Sequence, residues 1–144
     1  MIPCYTARGE LRSVRARYTA PGPLPDGCPK AAAPKGYELR GLVLANPAAL
    51  ALLRGETSTA AMVIITEGEP DWLTWATTRP DLAVLGVVAG AWVAELAARI
   101  PDGSTVVLRT HADAAGDAYA ATVAASFTGR KVQLARLKHE ESNG

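Results

Sequence analysis

Cysteine is scarce in this chain: there are two, Cys4 and Cys28, far apart and without a C-x-x-C pair or a His/Cys cluster. A structural zinc site takes about four such ligands at close spacing, so a zinc ribbon is excluded. The two thiols are expected to stay free in a reducing cytoplasm, a single disulfide between them being the alternative. No apolar run is long enough to span a bilayer, and the start has neither the charged opening nor the apolar stretch of a signal peptide. A cytoplasmic protein with no membrane partner is expected. Charge of one sign is lacking as well. A net charge of +1 sets up no overall attraction to nucleic acid, while leaving room for a local basic face. No G-x-x-x-x-G-K-[ST] loop is present, so the chain carries no P-loop motor. What remains is 144 residues, 49% apolar and 20% charged, enough for one domain with a core and against general disorder.

Composition divides the chain into an N-terminal basic, β-containing segment (1–58), an α/β unit (59–138) and a frayed tail (139–144). Residues 11–18 alternate, predicting a half-buried strand with Val14, Ala16 and Tyr18 inward and Arg15 and Arg17 on the other face. A Pro/Gly run over residues 21–27 ends it in a loop. Residues 37–44 predict another strand. Asn46 as N-cap and Pro47 at the first helical position then start a helix through Arg54.

From Met62 the pattern becomes strict strand–helix alternation. Residues 62–65, 82–88 and 105–108 are apolar runs suited to strands covered on both faces. Pro70 opens a helix carrying Trp72, Leu73 and Trp75. A second helix is expected over residues 91–100 and a third over 115–127. Both tryptophan-bearing helices are expected to turn these rings into the core. Residues 131–137 are more polar and predict an edge strand. The alternation implies an α/β fold, with a mainly parallel central sheet flanked by helices and preceded by a small β-rich N-terminal segment.

In such sheets ligands bind beyond the carboxyl ends of the strands. There the sequence offers Glu67-Gly68-Glu69-Pro70-Asp71, then Ala89-Gly90-Ala91, then His111-Ala112-Asp113 leading to Gly116 and Asp117. Carboxylates with water suit magnesium, and helix N-termini favour phosphate. Together these parts suit phosphoryl or nucleotidyl transfer. Each residue also has a plainer role open to it. Glu67 fits a solvated strand end, Asp113 a helix cap, His111 an exposed loop, and Asp117 a complement to the helix dipole.

The ordered pair of motifs resembles a Toprim domain, the catalytic module of bacterial-type primases, topoisomerases and some nucleases. Its first signature, an apolar strand followed by Glu-Gly-x-x-Asp, is matched by Val63-Ile64-Ile65-Thr66-Glu67-Gly68-Glu69-Pro70-Asp71. Its second, an apolar strand followed by Asp-x-Asp-x-x-Gly, is matched by Val106-Val107-Leu108-Arg109-Thr110-His111-Ala112-Asp113-Ala114-Ala115-Gly116, with His111 where the first Asp would stand. The resemblance implies a Toprim-like sandwich with Glu67 as general acid/base or metal organiser. It also implies Asp113 as ligand of Mg2+ or Mn2+, joined by His111 and more weakly by Asp71 and Asp117. Gly68, Gly90 and Gly116 would admit phosphate or nucleotide. Imidazole binds metal as a neutral and softer ligand than carboxylate, which sets this site apart from the family's usual pair of ions.

The preceding region resembles that of phage- and plasmid-type primases, which implies that Arg15, Arg17, Lys30 and Lys35 hold nucleic-acid phosphates. RNA primer synthesis on single-stranded DNA is the activity implied first. A Toprim nuclease or a non-catalytic binding module are the other readings. Single-stranded DNA, nucleotides and a replicative helicase or further domains are the partners implied.

Overall fold

The computed structural model describes residues 1–89 and 91–139. An antiparallel hairpin pairs β1 (Ile2–Tyr5) with β2 (Leu11–Arg17), and β2 pairs on with β3 (Ala31–Ala32). β4 (Val43–Ala45) lies on the other side of β1. The sequence pattern did not indicate β1, which is short and contains Pro3. The strand expected over residues 37–44 shrinks to β4. Gly36 and Gly41 take φ of +86° and +77°, a left-handed backbone that breaks the pleat. A turn from Leu42 N to Leu39 O (3.0 Å) fills the gap.

α1 (Pro47–Arg54) begins as predicted, with the Asn46 side chain accepting from Ala49 N at 3.0 Å. The same oxygen accepts from Val84 N (3.0 Å), and its amide donates to Leu82 O (2.7 Å). One buried asparagine therefore caps the helix and ties it to the sheet.

Beyond it follow β5 (Met62–Glu67), α2 (Glu69–Thr78), β6 (Ala83–Val87), α3 (Ala94–Ala98), β7 (Thr105–His111), α4 (Ala114–Ala125) and β8 (Gln133–His139). The helix expected over residues 91–100 is only α3, because Val93 is extended at φ −119° and ψ 141°. Trp92 and Ile100 are buried all the same. β7 runs on to His111, so this histidine ends a strand rather than sitting in a loop. β8 reaches His139 at the sheet edge, and the remainder of the expected frayed tail lies outside the described residues.

One eight-stranded sheet results, in the order β3-β2-β1-β4-β6-β5-β7-β8. Pairing is parallel only through β6-β5-β7-β8; every other pair, including β4 with β6, is antiparallel. The fold is α/β, as expected, but the mainly parallel sheet is corrected to a half-parallel one. The β-rich N-terminal segment comes first along the chain, and its strands form the other half of this sheet. The physical reason is β4, which satisfies the open edge of β6 in the opposite direction.

Right-handed crossovers fix the layers. The step from β5 to β6 and the steps from β6 to β7 to β8 run in opposite directions across the sheet. They therefore put α2 on one face and α3 and α4 on the other. The larger core gathers Val63, Ile65, Leu85, Leu96, Val106, Leu108 and Val123 with α1, α3 and α4. The smaller gathers Cys4, Leu44, Ile64, Trp72 and Val84 under α2. Gly86 belongs to this packing, since a Cβ there would lie 2.8 Å from Trp72 Cγ.

Candidate functional site

β5 sends its chain to β6 through α2, and its neighbour β7 sends its chain the other way to β8 through α4. Such a parting of connections opens a crevice at the carboxyl ends of the two strands, where open α/β sheets bind ligands. Glu67 is the last residue of β5, and His111 the last of β7. The Glu67 carboxylate accepts from His111 N through Oε2 at 3.2 Å, so the two strand ends are tied directly.

Gly68 follows at φ 94° and ψ 170°, a conformation open to glycine almost alone, which turns the chain sharply into α2. Asp113 caps α4, its Oδ1 accepting from Gly116 N at 2.7 Å. The candidate metal ligand is thus also the helix cap. A cap uses one oxygen, and a carboxylate has about four acceptor positions. Gly116 has a packing role: a Cβ there would collide with the carbonyl oxygen of His111 and lie 3.0 Å from its carbon. The glycine lets the helix start press against the end of β7.

Arg136 of β8 holds this corner from the other side. It donates to Thr110 Oγ1 (2.8 Å), to His111 O (3.2 Å) and to Asp117 Oδ1 (2.6 Å). Asp117 also pairs with Lys138 at 3.1 Å. Hydrogen bonds from Arg136 and then Lys138 hold its carboxyl below the usual range. Its charge is taken up by two cations. Asp71 lies in the first turn of α2, on the opposite face of the sheet from α4.

The arginines expected to face solvent do not. Ser13 is buried and Arg15 and Arg17 are half-buried, on the face that α2 covers. Arg15 Nε contacts Glu69 Oε1, and Arg17 Nη1 lies 3.3 Å from Glu69 Oε2. Glu69, the first residue of α2, is 7% exposed. The alternation is right in period, but both faces are partly covered: Val14 and Tyr18 are half-buried, and so are Arg15 and Arg17, which pair with Glu69 under α2. Lys30 and Lys35 are exposed near β3, the edge of the sheet farthest from β8. Gly90 lies outside the described residues.

A cavity of about 800 Å3 opens beside Glu67, lined by Arg40, Ala89, Trp92, Ala115, Ala118 and Tyr119 among others. Ala89 stands at φ 55°, a left-handed backbone that alanine seldom adopts and that clusters at functional sites. Tyr119 is 7% exposed and its hydroxyl has no hydrogen-bond partner among the described residues. Burial, then the nearby Glu67 charge, pushes this phenol's pKa up. Tyr119 packs in the larger core. Nothing in the sequence marks its hydroxyl as unsatisfied.

One solved structure matches over nearly the whole chain. It is the Aquifex aeolicus primase (zinc-binding and RNA polymerase domains), at a TM-score of 0.62 and 15% identity, covering 97% of this chain and 34% of that one. The fold is primase-related. The likeness extends across both halves of the sheet, so the antiparallel strands belong to it as much as β5 to β8. The chain spans about a third of the length of that structure. No protein-family model matches the sequence, and comparison with curated proteins gives no significant match. No helix among the described residues is long and apolar enough to cross a membrane.

Proposed function

We propose that the chain is a Toprim-type, primase-like nucleic-acid enzyme domain that joins ribonucleotides on single-stranded DNA with magnesium or manganese. The observation that carries this reading is the tie between Glu67 and the end of β7 at the parting of the connections, with Asp113 two residues on.

Among the described residues no three His, Cys, Asp or Glu side chains gather into a ready-made metal cage. Magnesium needs none: one or two carboxylates suffice, with water and phosphate oxygens completing its octahedron. The hard oxygens of Asp113 and Glu67 fit that chemistry. Asp113 would hold the ion, and the metal would neutralise phosphate charge as the new bond forms. Glu67 would serve as general acid/base or fix the geometry around it. Asp117, already engaged by Arg136 and Lys138, contributes less. Lys30 and Lys35 remain for template phosphates; Arg15 and Arg17 would first have to leave Glu69.

The test is ribonucleotide incorporation on a single-stranded template, comparing Asp113→Asn and Glu67→Gln with the parent. Asparagine caps a helix about as well as aspartate, so Asp113→Asn should keep the melting temperature while incorporation falls by about ten-fold or more. Parent-like extension by both variants would show that the site is misassigned. Cleavage of labelled DNA without nucleotides would favour the nuclease reading instead.

The substitution of His111 for an acid favours a second reading, a binding module without catalysis. Calorimetric titration of magnesium separates the two: binding that Asp113→Ala abolishes counts against a metal-free module. The same Asp113→Ala change removes the cap and should cost about 1 kcal/mol in urea unfolding, whatever the metal does.

A further inference from the structure

We infer that Glu69, clamped by Arg15 and Arg17, is a positioning residue: it fixes the start of α2 and so the aim of the Glu67 carboxylate, one glycine away. This rests on the reading of Glu67 as the acid/base of the site and names a residue that acts through it.

Glu67 is held firmly on one side only. Its backbone lies in β5, in register with Val87 of β6. Next comes Gly68, at φ 94° and ψ 170°, with no side chain to restrict its own dihedrals. α2 then starts without a capping side chain, whereas Asn46 caps α1 and Asp113 caps α4. Glu69 takes over that task by another route. It is the first residue of α2, and its two carboxylate oxygens meet Arg15 Nε and Arg17 Nη1. The helix start is thereby bolted to β2, four places from β5 in the sheet order.

A carboxylate in the first turn of a helix usually complements the helix dipole from solvent. Glu69 is instead buried against two cations. Buried ion pairs are poor sources of net stability, and their best use is to select one arrangement over others. The arrangement selected here bears on Glu67. Its bond to His111 N is 3.2 Å, at the long end of the normal range, so a small swing of the Gly68 turn weakens it. Small misplacements of a reacting group are costly to rate, even when their cause lies outside the reacting centre.

The experiment pairs kinetics with NMR on the full chain. In ribonucleotide incorporation with magnesium, Glu69→Gln should lower kcat about ten-fold and hold the nucleotide KM within about two-fold. Arg17→Gln, which leaves Arg15 on the carboxylate, should lower kcat about three-fold. Arg17 makes a single contact with Glu69, so Arg17→Lys should recover the rate. Leu53→Ala, which opens a cavity in the larger core away from α2, should lose stability and keep kcat within about two-fold. The His111 amide resonance should move in Glu69→Gln toward its position in Glu67→Ala, and stay in place in Leu53→Ala. A kcat for Glu69→Gln equal to that of Leu53→Ala, or an unmoved His111 amide, overturns the inference and leaves the proposed function standing. A Glu69→Gln chain that does not fold passes both readouts to Arg17→Gln. A parent that incorporates nothing overturns the proposed function, and the amide then decides the inference by itself.

Discussion

Gly116→Ala is expected to destabilise the protein by about 3 kcal/mol or more, the upper range for forcing atoms into a packed site. Helix propensity alone predicts the opposite sign, since alanine is favoured over glycine inside a helix by about 0.5–1 kcal/mol. The collision decides the matter. The new methyl group would strike the carbonyl oxygen of His111, which is backbone and cannot rotate aside. Relief would require α4 to retreat from β7, loosening the Asp113 cap and the Arg136 bonds to Thr110 and His111. Urea unfolding measures the loss. A variant as stable as the parent would mean that the helix start and strand end are not pressed together as described.

Glu69→Gln is expected to cost about 2–4 kcal/mol. Removing one partner of a fully buried ion pair costs about 3–5 kcal/mol, and the partial exposure of Arg15 and Arg17 lowers this. Glutamine keeps the volume and an acceptor oxygen but leaves two guanidinium groups without a counter-charge beside α2. Because Glu69 is buried, added salt should recover little of the loss, unlike a surface pair. Midpoints of chemical denaturation for Glu69→Gln, Arg17→Met and the double variant give the coupling directly. A Glu69→Gln midpoint equal to the parent's would reduce the triad to a surface contact.

What could be read from the sequence was whatever depends on neighbours along the chain. The apolar runs of β5, β6 and β7 and the Asn46–Pro47 helix start are local signals, and each was found. Glu67 and Asp113 were placed at strand ends because those ends follow directly from the runs. The Glu69 triad was hidden, since its partners lie more than fifty residues away on β2 and only the folded sheet brings them together. That same distance hid the cover over the arginine face of β2. The pairing of β4 with β6 was hidden for a similar reason: three residues carry too little pattern to announce a direction. Tyr119 shows a further limit, because periodicity reports that a side chain is buried and not whether its polar atom finds a partner.

β4 also bears on how the molecule assembles. The β1–β2 hairpin and the β5–α2–β6 unit each close over a short stretch of chain, so each can begin forming alone. Neither contains β4, which needs both: Val43 faces Tyr5 on one side and Val87 on the other. Those long closures carry the loop entropy that the two local units avoid. The three residues of β4 are thus a seam, and zipping it turns two separately nucleating sheets into a single cooperative one.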